Sequence, residues 1–547
     1  MKKTMKHAVS LILAAAMAFS LAACGQSGSE TAAAEETSAG AGTTAAAAEA
    51  AEESGNAETE ANAVKSEEVL KVALNAEPNS LFPLGASVTE PGLIVQNAVG
   101  GRLLEFDAET AEVTPSLADS YELVDETHAK FHLRENACYS DGTPVTAEDV
   151  IYSFSLAKEN AVAFTNYLDM ENSYAEDEKT VIIAMTQYVP GWEQQFCNPA
   201  AIVTSEANVE AVGGVDAATR DLPLGCGRYV FKEWVSGQYI TLERNENYWD
   251  DSYNGYYKTI QFTFVPDAAS RVLALQSGDV NVASRITMSD YMALQNDPNV
   301  KGVPFATDRI FNLFFNVSED SVFSDPLLRE AVAYTVDGNA VNALQNMGQG
   351  QVVQGQWAST HPYYREYYEG GHLTPDLNKA KELMAEAGYP EGFDCTMIVT
   401  ASNQQMATVI QENLRQVGIN LNIELMEQST YVDAARSGEY DCYVGATTAG
   451  SLSPDNFNQL DPAKIGVTVG GYRDDSETTS EMIAKASSYD EAEAKEGWDE
   501  LYDLVFGQYY CVGLCNAIDC YGLTRNLDGL KLGKLNYMDV SYVHPAE

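Results

Sequence analysis

From Val69 onward apolar and polar positions alternate with two periods. Val69, Lys71, Ala73 and Asn75 take alternate positions, with Leu70, Val72 and Leu74 between them. Apolar side chains on both faces predict a buried strand. Pro78 and Pro83 impose irregular chain after it. Thr127 to Leu133 alternates as a sheet strand, and Thr146-Ala147-Glu148-Asp149 sets a hydroxyl three residues ahead of a carboxylate. That spacing predicts a capped helix running to about Ala157. In the second half Asp325-Pro326 opens a helix through Leu327, Leu328, Ala331 and Val332, and Asp376 precedes a helix over Lys379 to Ala387 that Gly388 and Pro390 stop. Phe393 to Thr400 reads as a strand. Met406, Val409, Ile410, Leu414 and Val417 mark one face of a helix ending at Gly418, and Ile419, Leu421, Ile423 and Leu425 alternate again. Strand, helix, strand with a helix-length connection predicts a βαβ unit in a parallel sheet, so the fold class is α/β.

Composition narrows the function. The chain has 547 residues, 32 Lys and Arg against 80 Asp and Glu, and a formal charge of −48. A surface that acidic repels phosphate backbones and anionic lipid headgroups, which excludes nucleic-acid binding and electrostatic docking on a bilayer. Lys2, Lys3 and Lys6 precede an apolar run from Ala8 to Ala23, in the order of a secretory signal. The run ends in Leu21-Ala22-Ala23-Cys24-Gly25, which resembles the lipobox of bacterial lipoproteins. The resemblance implies cleavage before Cys24, lipidation of its sulfur and a place outside the cytoplasm, held at the cell membrane. From residue 24 to 68 the chain is mostly Ala, Glu, Gly, Ser and Thr, with ten Glu, one Lys and no aromatic residue. Such a segment buries too little apolar area to offset ordering and is expected to be a disordered tether.

A longer set of motifs follows. Phe131-His132-Leu133-Arg134 precedes the run Tyr139-Ser140-Asp141-Gly142-Thr143-Pro144-Val145-Thr146-Ala147-Glu148-Asp149-Val150-Ile151-Tyr152-Ser153. Gly225-Cys226-Gly227-Arg228-Tyr229, the block Ala274 to Val282, the block Leu328 to Asp337 and the block Ala380 to Tyr389 come after it in order. Together they resemble the extracellular solute-binding proteins of peptide and nickel ABC importers. The resemblance implies a two-lobe, periplasmic-binding-protein-like fold (type II), hinge-linked. Lobe one would span 69–309, with an extra subdomain at about 101–220. Lobe two would span 310–504, and 505–547 would return to lobe one. It implies capture of a small solute, peptide by default, and delivery to a membrane permease, by a monomer without cofactor or enzymatic activity. Hinge closure alone buries such a solute.

Little else in the chain points to chemistry. No Gly-x-Ser-x-Gly elbow is present, which argues against a hydrolase. His128 and His132 lie about 13 Å apart on a strand, too far for one metal. Eight cysteines beyond Cys24 are too few for a disulfide framework and are expected as buried thiols. Asp141-Gly142-Thr143-Pro144 reads as a scaffold turn with a positive φ at Gly142.

The family's ligand anchors are where the chain departs from its pattern. Against a peptide binder's ammonium-binding segment, Thr447 stands at the Trp position and Gly450 at the Asp position, and Gln428 replaces an upstream Trp. Gln428, Tyr431, Thr447, Thr448, Gly450 and Ser451 are therefore expected to line the cleft from lobe two. The loop after the first strand, with Glu77, Asn79 and Leu81, would line it from lobe one, because open α/β sheets bind ligands at the carboxyl ends of their strands. Asn516 and Asp519 complete the candidate set. Asp455, Glu77 and Asp519 are the acids available to an ammonium group. Without one of them the pocket is neutral and hydroxyl-rich, which leaves an oligosaccharide as the alternative solute.

Overall fold

The computed structural model describes residues 66–85, 88–107, 112–250, 254–357, 359, 361, 363–438, 440–448, 477–533 and 537–546. The signal segment, Cys24 and nearly all of the expected tether therefore lie outside the described residues. Strand β1 (Ser66–Leu74) begins three residues earlier than its alternation suggested. Helix α1 (Glu90–Val99) follows. The next strands are β2 (Ala118–Asp125) and β3 (His128–Leu133). Helix α2 (Ala147–Glu159) leads to β4 (Leu168–Ala175) and β5 (Thr180–Met185). After these come β6 (Tyr229–Val235), β7 (Tyr239–Arg244), β8 (Tyr257–Phe264), α3 (Ala268–Ser277), β9 (Val282–Ile286) and the long strand β10 (Val300–Phe315). Helices α4 (Pro326–Ala333), α5 (Gly338–Gln345) and α6 (Leu377–Glu386) precede β11 (Phe393–Val399), α7 (Gln404–Arg415), β12 (Ile419–Leu425), α8 (Gln428–Ser437) and β13 (Cys442–Thr448). Helices α9 (Glu477–Ala486) and α10 (Glu491–Gly507) lead into β14 (Cys511–Thr524).

Local chemistry explains the helix starts. The Thr146 hydroxyl accepts the Asp149 amide while the Asp149 carboxylate accepts the Thr146 amide, a reciprocal cap that satisfies two orphan donors. Asp325 caps α4 with Pro326 in its first turn, and Asp376 caps α6. Gly142 takes φ 87°, as its turn requires. At Gly227 a side chain would stand 2.6 Å from the Val99 carbonyl carbon, so close backbone approach selects glycine there.

Ten strands form one sheet in the order β6-β7-β8-β1-β9-β14-β10-β13-β11-β12. β1 is parallel to β8 and β9, β11 is parallel to β12 and β13, and β14 is antiparallel to both β9 and β10. The expected βαβ unit is therefore β11-α7-β12. A separate four-stranded sheet, β2-β3-β5-β4, lies within the 101–220 stretch.

The core changes along this sheet. Leu70, Val72, Phe131, Ile260 and Val282 belong to one buried cluster, while Leu313, Leu328, Ile410 and Val444 belong to another. Phe314, Tyr443, Trp498 and Tyr502 form a third, which strand alternation places on the opposite face from Leu313. Among the described strands, β10 and β14 run through both halves. Their pairing slips between Ala306 and Ile310. On β14, Val512, Leu514 and Cys515 pack with the second cluster and Tyr521 and Leu523 with the first. β14 thus packs with both clusters. The eight cysteines after Cys24 form no disulfide with one another, seven of them are buried, and burial pushes Cys395 and Cys515 up to about 12.

Candidate functional site

Because β11, β12 and β13 run the same way, their carboxyl ends open on one side. Thr400, Ser402 and Asn403 follow β11. Gln428, Tyr431 and Val432 come from α8 after β12. Gly445 and Ala446 lie near the end of β13. With Arg309, Phe311 and Phe314 of β10 and Gln345 at the end of α5, they line a cavity of about 470 Å³. Both its size and its place at strand carboxyl ends are those of a small-molecule site. The Tyr431 ring forms a wall, and its hydroxyl is committed to the Val444 carbonyl at 3.0 Å. Asn403 donates to the same carbonyl at 3.3 Å, which fixes the loop after β11. Thr400 and Ser402 share a hydrogen bond of 2.9 Å. The amides of Gln428 and Gln345 have no partner among the described residues.

A wider opening of about 1500 Å³ lies between the four-stranded sheet and helices α9 and α10. Thr127, Tyr167 and Tyr188 line it on one side and Ile483, Tyr489 and Glu491 on the other, and the Tyr188 and Tyr489 rings meet edge to face at 5.2 Å. It is broad and edged with carboxylates. The smaller cavity is the candidate site, since convergent strands, amides and a cation meet there.

Of the residues expected at the site, Gln428 and Tyr431 come together in this cavity. Thr447 does not line it: Thr447 is buried, accepts from Asn312 at 3.3 Å and donates to the Gln356 carbonyl at 3.4 Å. Thr448 ends β13 opposite Arg309. Gly450, Ser451 and Asp455 lie outside the described residues.

The loop after β1 serves the scaffold. Glu77 accepts from the Trp234 indole at 3.0 Å, the Ser236 hydroxyl at 2.9 Å and the Gly237 amide at 3.1 Å. Burial pushes its carboxyl up, but those donors and Arg220 outweigh it, and the net shift is downward. Asn79 accepts from the Thr89 amide and hydroxyl beside the start of α1, and Leu81 is fully buried core. Asn516 accepts from the Gln351 amide at 2.7 Å and, through its carbonyl, from Asn346. Asp519 is paired with Arg285 and lies 3.7 Å from Arg309. Neither Glu77 nor Asp519 is thus a free acid awaiting an ammonium.

Arg309, Gln345, Thr400 and Asn403 escaped the sequence reading. After the first strand the proline-broken chain turns inward, so its carboxyl end offers no ligand groups, whereas the carboxyl end of β11 leads to Thr400–Asn403. His128 and His132 pair with Asp125 at 2.9 Å and Asp119 at 3.1 Å, and among the described residues no three potential ligands cluster.

Residues 112–463 match the model of the bacterial extracellular solute-binding proteins, family 5. The chain belongs to this family. As a solute-binding protein it captures a solute outside the cytoplasm and is not an enzyme. It is similar to Heme-binding protein A of Haemophilus influenzae, 26% identical over 493 residues and 83% of each chain. It is also similar to Oligopeptide-binding protein AppA of Bacillus subtilis, 24% identical over 83% of this chain and 86% of that one. Among solved structures, HbpA2 from Haemophilus parasuis superposes with a TM-score of 0.77 at 20% identity, over 88% of this chain and all of that one. A dipeptide-binding protein from Pseudoalteromonas, solved with Met-Leu, gives 0.69 at 19%, over 87% of this chain and all of that one. These likenesses fix the fold as the two-lobe α/β architecture of periplasmic binding proteins.

Proposed function

We propose that this solute-binding protein is the receptor of an ABC importer and that its solute is a peptide or peptide-like molecule. The observation that carries this reading is the cavity at the carboxyl ends of β11, β12 and β13, where amides, hydroxyls and one guanidinium meet aromatic walls. Those groups match the backbone amides and carbonyls of a short peptide. Relatives named for oligopeptides and dipeptides support the choice. Lobe one spans 69–309 with an added subdomain at about 101–220 and the return at 505–547, and lobe two spans 310–504. Solute binds as the lobes rotate about the strands that cross between them, and a permease receives it. The protein works as a monomer, tethered by the residues between Cys24 and β1 to lipid on Cys24.

Mass spectrometry of small molecules released from natively purified protein, followed by calorimetric titration with the class found, tests the solute. Peptides are expected; co-purified neutral oligosaccharide that binds where peptides do not would replace this reading with the sugar alternative. That alternative draws on Gly450 at the ammonium-binding position and on the prior pairing of Glu77 and Asp519. Cys24→Ser should move the protein from the membrane fraction to the soluble one. Retention that only detergent releases would refute the anchor.

A further inference from the structure

We propose that Arg309 selects the charge of the solute: its guanidinium holds an anionic group, a carboxylate in the first instance, inside the cavity of β11, β12 and β13. This rests on the assignment of that cavity as the solute site. Among the described residues lining it, Arg309 alone carries a charge. Its side chain is 43% exposed, so the guanidinium reaches the cavity without being spent in the core.

The neighbouring charges leave it underused. Asp519 is 8% exposed and lies 3.7 Å from Arg309, but its closer partner is Arg285. Arg285 also takes Glu90 at 2.7 Å. Asp519 is thus engaged chiefly by Arg285, and among the described residues Arg309 holds only the loose outer contact with it. The Nε of Arg309 is buried without a hydrogen-bond partner. A donor left so is costly unless a ligand completes it.

Cleft closure sharpens the point. Removing water from a guanidinium whose counter-charge is shared would penalise a neutral solute, whereas a carboxylate meets the planar fork with two parallel hydrogen bonds. The amides of Gln345 and Gln428, without a partner among the described residues, line the same cavity and can donate to such a group. Asp519 is then a positioning residue, steadying Arg309 where the pairing of β10 with β14 slips and β10 begins to pair with β13 as well.

Calorimetric titration of the full-length, dialysed protein with Ala-Ala-Ala and with its C-terminal amide tests the proposal. The free acid should bind at least about tenfold tighter, as expected for a charge-assisted bidentate contact. In R309Q the two should come within about twofold of each other, while R309K keeps part of the preference. Arg309→Met repeats the charge-free test with the aliphatic stem retained, should R309Q fail to fold. Equal binding of acid and amide by the wild type overturns the proposal. So does a preference that survives in a charge-free variant with a native melting temperature. If neither tripeptide binds, the peptide reading fails, and Arg309 is judged on glucuronate against glucose. A preference for glucuronate that R309Q abolishes supports it; equal binding, or none, overturns it.

Discussion

Glu77 and Thr447 show how the same residue type serves a ligand or a scaffold according to what surrounds it. Glu77 spends its carboxylate on the turn between β6 and β7, through Ser236 and Gly237, and on the Trp234 indole, over whose ring Arg220 stacks at 3.8 Å. Its folded pKa lies below the ordinary value of 4.5, so its stabilisation is present above that value and is lost as pH falls through the folded one. E77Q should therefore cost about 1 kcal/mol at pH 7, after allowance for solvent screening of a half-buried group. The gap should narrow toward pH 4 in urea titrations. A gap of the same size at both pH values would mean that shape, not charge, is at work. Thr447 is the complementary case. Its hydroxyl joins Asn312 to the Gln356 carbonyl inside the second half of the molecule. Thr447→Ala should lower stability by about 1–2 kcal/mol and leave solute affinity within about twofold. A tenfold loss of affinity with unchanged melting would place Thr447 at the ligand after all.

Elements with their own start and stop signals were legible in the sequence. Thr146 and Asp149 announce α2, Asp376 announces α6, and the alternation at Ile419–Leu425 is β12 to the residue. The strands that matter most to the architecture were not. β10 contains Gly302, Pro304 and the Thr307-Asp308 break, so it does not read as one strand, and β14 reads as a cysteine cluster. Each is held by the other from far along the chain, and such pairing leaves no local period. The cavity was half legible for the same reason. Gln428 and Tyr431 follow from residue order, whereas Arg309 becomes a site residue only once β10 is laid beside β13. The first strand offers a direct test. Ser66 donates to the Tyr256 carbonyl at 2.8 Å, and Arg244 donates to the Ser66 carbonyl at 3.3 Å. A chain beginning at Val69 should unfold at lower urea than one beginning at Ser66, by about 1 kcal/mol. Identical midpoints would show that β1 is anchored by Val69–Leu74 alone.

At the scale of the whole molecule the question is whether two halves with separate cores melt together. The clusters around Val72 and around Leu313 are joined by one continuous sheet, in which β10 and β14 lie side by side and antiparallel through both. Separating the halves would break that ladder along its length, so the described body should unfold as one unit. Solute present at a hundred times its dissociation constant adds about 2.7 kcal/mol to the folded state. Spread over roughly 480 residues, at about 2 cal/mol/K of unfolding entropy per residue, that raises the melting temperature by only about 3 °C. If the second half melted alone, with roughly 200 residues, the same binding energy would raise its transition by about 6–7 °C and leave the other unmoved. Scanning calorimetry with and without saturating solute separates the two. A single transition shifted by about 3 °C is expected, because a hinge made of paired strands transmits unfolding as readily as it transmits closure. Two transitions, one of them indifferent to solute, would mean that the crossing strands bend without coupling the cores.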